Sequence, residues 1–195
     1  FVATQLNLGG GYGVRYVESD AGLDIAEKVK SVGTAVLETC KELDLPLPAI
    51  LMEPGRSIVA DSGMTLYTVG NVKKIPSYKN YVSIDGGMTD NPRYALYGSS
   101  YTCFIANRMT EPCDMTATIA GRCCESGDLI QRDVPVPSST TKGDLVAVCT
   151  TGAYNYSMAS NYNRIPRPAV VMLKNGDSYV AVRRESFEDL CRNDL

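Results

Sequence analysis

The hydrophobic pattern of this chain changes near Gly63, and that change constrains the fold more than any other feature. Residues 1–8 read as a strand that runs directly into three glycines. Between Ile25 and Cys40, apolar residues recur every three or four positions, as on one face of a helix, and a short apolar run at 49–52 follows. Strand, glycine loop, helix and strand in this order predict a βαβ unit, the building block of parallel sheets and α/β barrels.

The predicted helix has start and stop signals. Asp20 is expected to be its N-cap, and Pro46 and Pro48 lie just beyond its expected end. A single βαβ unit cannot cover both faces of its strands. Residues 1–62 are therefore expected to be one part of a larger barrel, and the chain, which opens inside a strand without a starting methionine, to be a piece of a longer protein.

Beyond Gly63 the sequence predicts a second, mainly β domain over residues 63–195. The expected strands are 64–72, 78–85, 101–106, 115–120, 145–150, 170–174 and 178–183. The Asn-Gly-Asp sequence at 175–177 predicts a hairpin, and residues 133–144, rich in Pro, Ser and Thr, are expected to form a loop. Ser186 and Asp189 have the spacing of a capping box that opens a short terminal helix.

Composition excludes several functions. The net charge of −3 gives no basic surface of the kind that nucleic-acid binders use, and no apolar stretch approaches the ~18 residues of a membrane span. With no histidine, the chain cannot form a mixed Cys/His zinc site, and no metal site is expected. The seven cysteines are odd in number and irregularly spaced, so we expect a cytoplasmic protein in which most of them are small core residues.

Two motifs follow the predicted strands of the first part. Gly9, Gly10 and Gly11 could close around a phosphate with their N–H groups, although glycines after a strand also form simple tight turns. The segment 53–56, Glu-Pro-Gly-Arg, lies at the carboxyl end of the second strand, where α/β folds bind ligands. Its alternative interpretation is a turn with a surface ion pair.

Three further motifs lie in the β part. Arg93, in a turn-rich segment, could bind a carboxylate in fork geometry or could simply be solvated. Cys124 opens the turn 124–128, which taken alone is a surface turn with a spare cysteine. The run 152–163 holds tyrosines and amide side chains that are difficult to bury without partners, which favours either a lined site or a well-packed loop.

Taken in order, these motifs resemble the diaminopimelate decarboxylase family of fold-type III pyridoxal-phosphate enzymes. The resemblance covers the whole chain and rests on the segments 6–11, 53–56, 85–93, 124–128, 152–163, 166–171 and 183–190. It implies the last units of an alanine-racemase-like α/β barrel followed by a C-terminal β domain, and it implies decarboxylation of meso-diaminopimelate to L-lysine.

The resemblance also implies which residues bind the cofactor, pyridoxal 5'-phosphate. Gly9, Gly10 and Gly11 would hold its phosphate, with Tyr154 also reaching it. Glu53 would lie against the pyridine nitrogen, in a segment completed by Pro54, Gly55 and Arg56. A carboxylate there keeps the ring nitrogen protonated, so that the ring can accept electrons.

For the substrate, a small amino acid, the resemblance implies a further set. Arg56, Arg93, Tyr97 and Tyr154 resemble the family's substrate-binding residues, and Glu125 would pair with the far ammonium group. Cys124 would act as the catalytic acid that returns a proton after CO2 leaves. Cys124 and Glu125 would reach the active site of the partner subunit, which implies a homodimer.

The sequence departs from the family pattern in three places. Tyr94 stands where the family has proline. A second cysteine, Cys123, directly precedes Cys124, so the sequence leaves open which of the two thiols is functional. The family's cofactor-binding lysine and a histidine that packs on the cofactor belong to the N-terminal half of the barrel and cannot be assigned in this chain. We therefore expect the chain alone to be inactive. The alternatives are a related ornithine, arginine or D-amino-acid decarboxylase, a non-catalytic homologue, or a stable fragment.

Overall fold

The computed structural model describes residues 2–195, and its first part is a βαβ unit. Strand β1 (Gln5–Asn7), helix α1 (Ile25–Glu42) and strand β2 (Ala49–Leu51) follow one another, and the two strands pair in parallel. The βαβ prediction is confirmed, although β1 is shorter than the strand expected at 1–8. Phe1 lies outside the described residues.

The start of α1 corrects the capping prediction. Asp24, not Asp20, is the N-cap, and its carboxylate accepts the N–H of Glu27 at 3.1 Å. The Asp20 carboxylate instead accepts the N–H groups of Tyr16 and Val17 at 2.9 and 3.1 Å. Both aspartates have the short side chain with a carboxylate acceptor that an N-cap needs. Asp20, however, uses its carboxylate to close the turn that precedes the helix.

One face of the βαβ unit is open within residues 2–195. Val32, Val36 and Cys40 of α1, Leu6 of β1 and the following Leu8 border an apolar groove of about 550 Å³. This agrees with the expectation that one helix cannot cover the strands.

The larger part of the chain is a six-stranded sheet. Its strands are β3 (Met64–Ile75), β4 (Lys79–Ile84), β5 (Cys103–Ile105), β6 (Met115–Ala120), β7 (Leu129–Val136) and β8 (Leu145–Cys149). They lie in the order β5-β8-β3-β4-β6-β7, and all neighbours are antiparallel except β4 and β6. Side chains from all six strands, with Tyr101, form one buried core. The strands expected in this region are confirmed to within a few residues.

The loop predicted at residues 133–144 is wrong for its first four residues, because residues 133–136 belong to strand β7. Ile130, Val134 and Val136 are buried in the sheet. Asp133, with φ +55°, lies where the pairing with β6 shifts register. The shift interrupts the regular alternation of apolar and polar residues along the strand. Pro135 is tolerated because β7 is last in the strand order, at an edge where one row of ladder hydrogen bonds is not required.

Short elements complete the chain. They are helices α2 (Gly55–Val59), α3 (Arg93–Tyr97), α4 (Asn155–Met158) and α5 (Phe187–Cys191), and strands β9 (Val170–Lys174) and β10 (Asp177–Val182). Strands β9 and β10 form the expected hairpin; Asn175 and Gly176, at φ +54° and +89°, make the turn. The capping box of Ser186 and Asp189 at α5 is confirmed.

The cysteine prediction is wrong for most of the seven residues. Only Cys40 and Cys103 are buried among the described residues, whereas Cys113, Cys124 and Cys191 are exposed, and all seven are free thiols. Burial raises the pKa of Cys103 to about 12. No helix within residues 2–195 is both long enough and apolar enough to cross a membrane.

The C-terminal hairpin is tied to the preceding loop by an ion pair whose strength should depend on pH. The Arg167 guanidinium and backbone N–H, together with Asn161, hydrogen-bond the Glu185 carboxylate and lower its pKa to about 2. A carboxyl group with a depressed folded pKa stabilises the fold above its unfolded pKa, and this contribution is lost as the pH falls. We expect the hydrogen-exchange protection of the Arg167 amide to decline between about pH 4.5 and about pH 2.

The matched variant Glu185→Gln should show the same loss of protection at neutral pH, because the amide keeps the shape of the side chain but lacks its charge. An amide at Arg167 that stays protected to pH 2 would contradict this assignment.

Candidate functional site

The glycine loop after β1 lies directly against the loop after β2. The N–H of Glu53 donates to the Gly9 carbonyl at 2.8 Å, and a Cβ at Gly10 would stand 2.5 Å from the Glu53 carbonyl oxygen. Gly9 and Gly11 have φ values of +67° and +87°, which glycine adopts readily. Within residues 2–195, the N–H groups of Gly10 and Gly11 donate to no protein acceptor. The loop therefore has free donors suited to an anion such as phosphate.

Asn7 places the Glu53 carboxylate, a role that the sequence reasoning missed. Its side-chain N–H donates to Glu53 Oε1 at 2.6 Å, and its oxygen accepts the N–H of Gly9 at 2.8 Å. One amide thus joins the carboxylate to the glycine loop. A polar residue between two leucines, two positions before the first glycine, was a signal that could have identified it.

The 53–56 segment continues into α2, whose end packs against the run at 152–163. The N–H of Gly152 donates to the Ala60 carbonyl at 2.9 Å, and a Cβ at Gly152 would overlap the Val59 carbonyl oxygen. Arg56 on α2 is half-buried, and its Nε has no hydrogen-bond partner within the described part of the chain. This contact brings the segment that carries Tyr154 to the segment that carries Glu53 and Arg56.

Arg93 is buried, which contradicts its interpretation as a solvated loop arginine. It is the first residue of α3 and is 9% exposed. Its guanidinium carbon lies 5.4 Å from the ring centre of Tyr97 and 4.9 Å from that of Tyr154. Among residues 2–195, no carboxylate pairs with Arg93, and its Nε has no hydrogen-bond partner. A buried cation without a counter-charge is costly, so this geometry suits an anionic ligand.

Polar groups near Arg93 also have unused hydrogen bonds. Tyr101 and Asn155 are 2% and 4% exposed, and neither the Tyr101 hydroxyl nor the Asn155 amide has a partner within residues 2–195. Burial raises the pKa of Tyr101, and the positive charge of Arg93 acts in the opposite direction. The sequence reasoning missed Tyr101, because only the fold brings it near Arg93.

Cys124 and Glu125 lie on the loop between β6 and β7. Both are exposed, and the N–H of Cys124 donates to Asn163 Oδ1 at 2.9 Å. Within the described residues, no hydrogen bond or ion pair joins either side chain to Arg93 or Glu53. The candidate residues therefore form one connected cluster and one separate loop.

The two adjacent cysteines differ in exposure. Burial, followed by the nearby Asp128 carboxylate, raises the pKa of Cys123 to about 11, so this thiol stays protonated and is partly covered. Cys124 is exposed. Of the two cysteines, Cys124 is therefore the more accessible to a ligand.

Comparisons with known proteins identify the family. A sequence model described as the C-terminal sheet domain of the pyridoxal-dependent decarboxylases matches residues 16–152. A diaminopimelate decarboxylase of Bacillus subtilis (strain 168) is 51% identical over 195 residues, which cover all of this chain and 44% of that protein. The chain therefore spans less than half the length of this relative.

Solved structures show the same fold. The diaminopimelate decarboxylase of M. jannaschii superposes with a TM-score of 0.91 at 31% identity, covering 100% of this chain and 44% of that one. The same enzyme in complex with L-lysine gives a TM-score of 0.89 at 32% identity, covering 98% of this chain and 43% of that one. The predicted fold class is confirmed, whereas the division at residues 62 and 63 stays a prediction. The chain belongs to the pyridoxal-dependent decarboxylase family and carries the C-terminal sheet domain of that family.

Proposed function

We propose that this chain is the C-terminal part of a diaminopimelate decarboxylase, which converts meso-diaminopimelate to L-lysine and CO2. The observation that carries the proposal is the buried guanidinium of Arg93 between Tyr97 and Tyr154, which has no carboxylate partner within residues 2–195 and whose only hydrogen bond there is a long one to Ser99 Oγ, at 3.5 Å. A buried arginine with free donors binds a carboxylate in bidentate geometry. Diaminopimelate has a second carboxylate at its far end, and the 51% identity to a diaminopimelate decarboxylase supports the same substrate.

The residues present fit pyridoxal phosphate. The Gly9–Gly11 loop has unused N–H donors for a phosphate, and a side chain at Gly10 would close its approach to Glu53. The Glu53 carboxylate, fixed by Asn7, is an acceptor for a protonated ring nitrogen. We place Gly9, Gly10, Gly11 and Tyr154 at the phosphate, and the 53–56 segment along the ring.

When bound, the cofactor supplies a ring that takes up the electrons left on the substrate as CO2 departs. Glu53 holds a proton at the ring nitrogen and so keeps the ring electron-poor. The lysine that binds the cofactor is proposed to lie in the part of the longer protein that residues 1–195 do not include.

Charged side chains bind the carboxylate and the ammonium group at the far end of the substrate. Arg93 and Arg56, with the Tyr97 hydroxyl, bind the far carboxylate, and Glu125 pairs with the far ammonium. Cys124 donates a proton to Cα after the bond from Cα to the carboxylate carbon breaks, so a C–H bond replaces a C–C bond. The proton lost from the thiol is recovered from solvent.

We propose a homodimer in which two subunits share each active site. Cys124 and Glu125 are exposed and are not joined to the Arg93 cluster of their own chain within the described residues. Their position on a separate loop suits a role at the active site of the partner subunit. A cytoplasmic location also stays a prediction.

The proposal predicts a substrate preference that depends on Arg93. The full-length protein loaded with pyridoxal phosphate should release CO2 from meso-diaminopimelate with a kcat/KM about 100-fold above that for L-ornithine or L-arginine, which lack the far carboxylate. Arg93→Gln should lower kcat/KM for meso-diaminopimelate by about 10²–10³-fold, because it leaves a carboxylate without its buried partner. The measurement is CO2 release for each substrate.

Arg132→Gln is the matched control, since Arg132 is exposed and its side chain makes no ion pair within residues 2–195. It should leave kcat/KM within about threefold of the unmodified protein. A preference for L-ornithine would favour the related-decarboxylase alternative. Absence of CO2 release from every substrate would favour a non-catalytic homologue.

A further inference from the structure

A buried carboxylate fastens the loop that carries Cys124 to the interior of the protein. Asp128 is 3% exposed. Its Oδ1 accepts the N–H of Met88 at 2.6 Å, and its Oδ2 accepts the N–H of Cys123 at 2.7 Å. One side chain thus links two loops that are far apart in sequence, and each oxygen serves a different loop.

Both loops can approach Asp128 because glycines lie beside it. A Cβ at Gly87 or at Gly121 would overlap the Asp128 carboxylate. The N–H of Gly121 also donates to the Asp128 carbonyl at 2.8 Å. The backbone therefore encloses the carboxylate closely on both sides.

The Met88 loop is itself anchored to the sheet. Asp90 accepts the Tyr67 hydroxyl at 2.5 Å and the N–H of Gly87 at 3.2 Å. Tyr67 belongs to β3 and is 4% exposed. Burial raises the pKa of both Tyr67 and Asp90. Asp128 thus ties the Cys124 loop to a support that is part of the hydrophobic core.

A second side chain holds Cys124 directly. Asn163 Oδ1 accepts the N–H of Cys124 at 2.9 Å. Asn163 has φ +53°, a left-handed conformation that asparagine adopts more readily than most residues. Cys124 is exposed, so the hydrogen bonds to its own N–H and to the N–H of Cys123 restrain the backbone of a residue that has little packing of its own.

We propose that Asp128 and Asn163 are positioning residues for Cys124, which fix the backbone that carries its thiol. The inference rests on the proposed function, since it needs Cys124 to be the proton donor. A catalytic group on an exposed turn must be held by its neighbours, because a displacement of about 1 Å costs on the order of 10²-fold in rate. Neither residue needs to touch the substrate.

Asp128→Asn in the full-length protein tests the proposal. Asparagine has one acceptor oxygen, so it cannot accept from both Met88 and Cys123, and the link between the loops is broken. We expect kcat for CO2 release from meso-diaminopimelate to fall by about 10–100-fold, with KM within about threefold. In a Cys124→Ala background, Asp128→Asn should cause no further loss, because a residue that acts only through the Cys124 thiol then has no proton donor to position.

Asn163→Ala is the second variant and keeps the proposal testable if Asp128→Asn does not fold, since Asn163 is exposed. It should likewise lower kcat, and only when Cys124 is present. Asp144→Asn is the structural control: Asp144 is also buried, at 4% exposure, but binds Arg108 and Thr141 elsewhere. It should lower the urea midpoint and leave kcat per folded molecule unchanged.

Equal losses with and without Cys124 would overturn the proposal, as would an unchanged kcat in both variants. Failure of the proposed function would look different, because the unmodified protein would then release no CO2. In that case the rate of iodoacetamide alkylation at Cys124, followed by peptide mass spectrometry, still tests the positioning. Asp128→Asn should change that rate at least about threefold relative to the exposed Cys113 and Cys191.

Discussion

The Cys124→Ser variant of the full-length protein is expected to lose about 10²–10⁴-fold in kcat for CO2 release, with little change in KM. Serine replaces the S–H group with an O–H group on a side chain of the same shape and slightly smaller size, but an alcohol is a far weaker acid than a thiol. The proton therefore reaches Cα slowly, while substrate binding by Arg93 is unaffected. The measurement is steady-state CO2 release and L-lysine formation.

Cys123→Ser is the matched control, because it changes the neighbouring thiol on the same loop. The pKa of Cys123 is raised to about 11 by burial, and its thiol is partly covered, so we expect kcat to stay within about threefold. A large loss in Cys123→Ser together with a small loss in Cys124→Ser would reverse the assignment of the two residues.

Gly152→Ala is expected to lower the free energy of unfolding by about 3 kcal/mol or more, a large effect for a single methyl group. The added Cβ would overlap the Val59 carbonyl oxygen, which is backbone and cannot move aside as a side chain would. The same contact joins α2 to the segment that carries Tyr154, so kcat/KM should fall as well. Urea unfolding and CO2 release measure the two effects.

Gly33→Ala is the matched control, since Gly33 lies inside α1 and a Cβ there meets nothing within 4 Å. Alanine has a higher helix propensity than glycine, so this variant should be more stable by about 0.5–1 kcal/mol. If Gly152→Ala left both stability and activity unchanged, the close approach between α2 and residues 151–152 would not form in solution.

Local elements of this fold followed from local sequence. The βαβ order, the Asn175-Gly176 hairpin turn and the capping box at Ser186 each depend on residues within a few positions of one another. The expectation that Asp20 is the N-cap was wrong, because Asp24 has the same side-chain chemistry and only the path of the backbone distinguishes them. The same holds for β7, whose irregular residues are accommodated by its place at the sheet edge.

The candidate site was predictable in its residue types but not in its geometry. The glycine loop, Arg93 and the Cys124 turn were identified as candidates from sequence, and the family followed from their order. Nothing local indicated that Arg93 would be buried between Tyr97 and Tyr154, which are 4 and 61 positions away along the chain. The burial of most cysteines was predicted and is wrong, because a cysteine can serve either in a core or on a surface.

The βαβ order, the family and the chemistry that the chain can supply were predictable from the sequence, because periodicity, turn residues and motifs are properties of short segments. The tertiary structure was needed to show that Asn7 holds Glu53, that Arg93 lacks a counter-charge, and that Asp128 ties the Cys124 loop to the core. Burial and unpaired charge arise when distant segments pack together, and the energy of a polar group depends on that packing rather than on its neighbours in sequence.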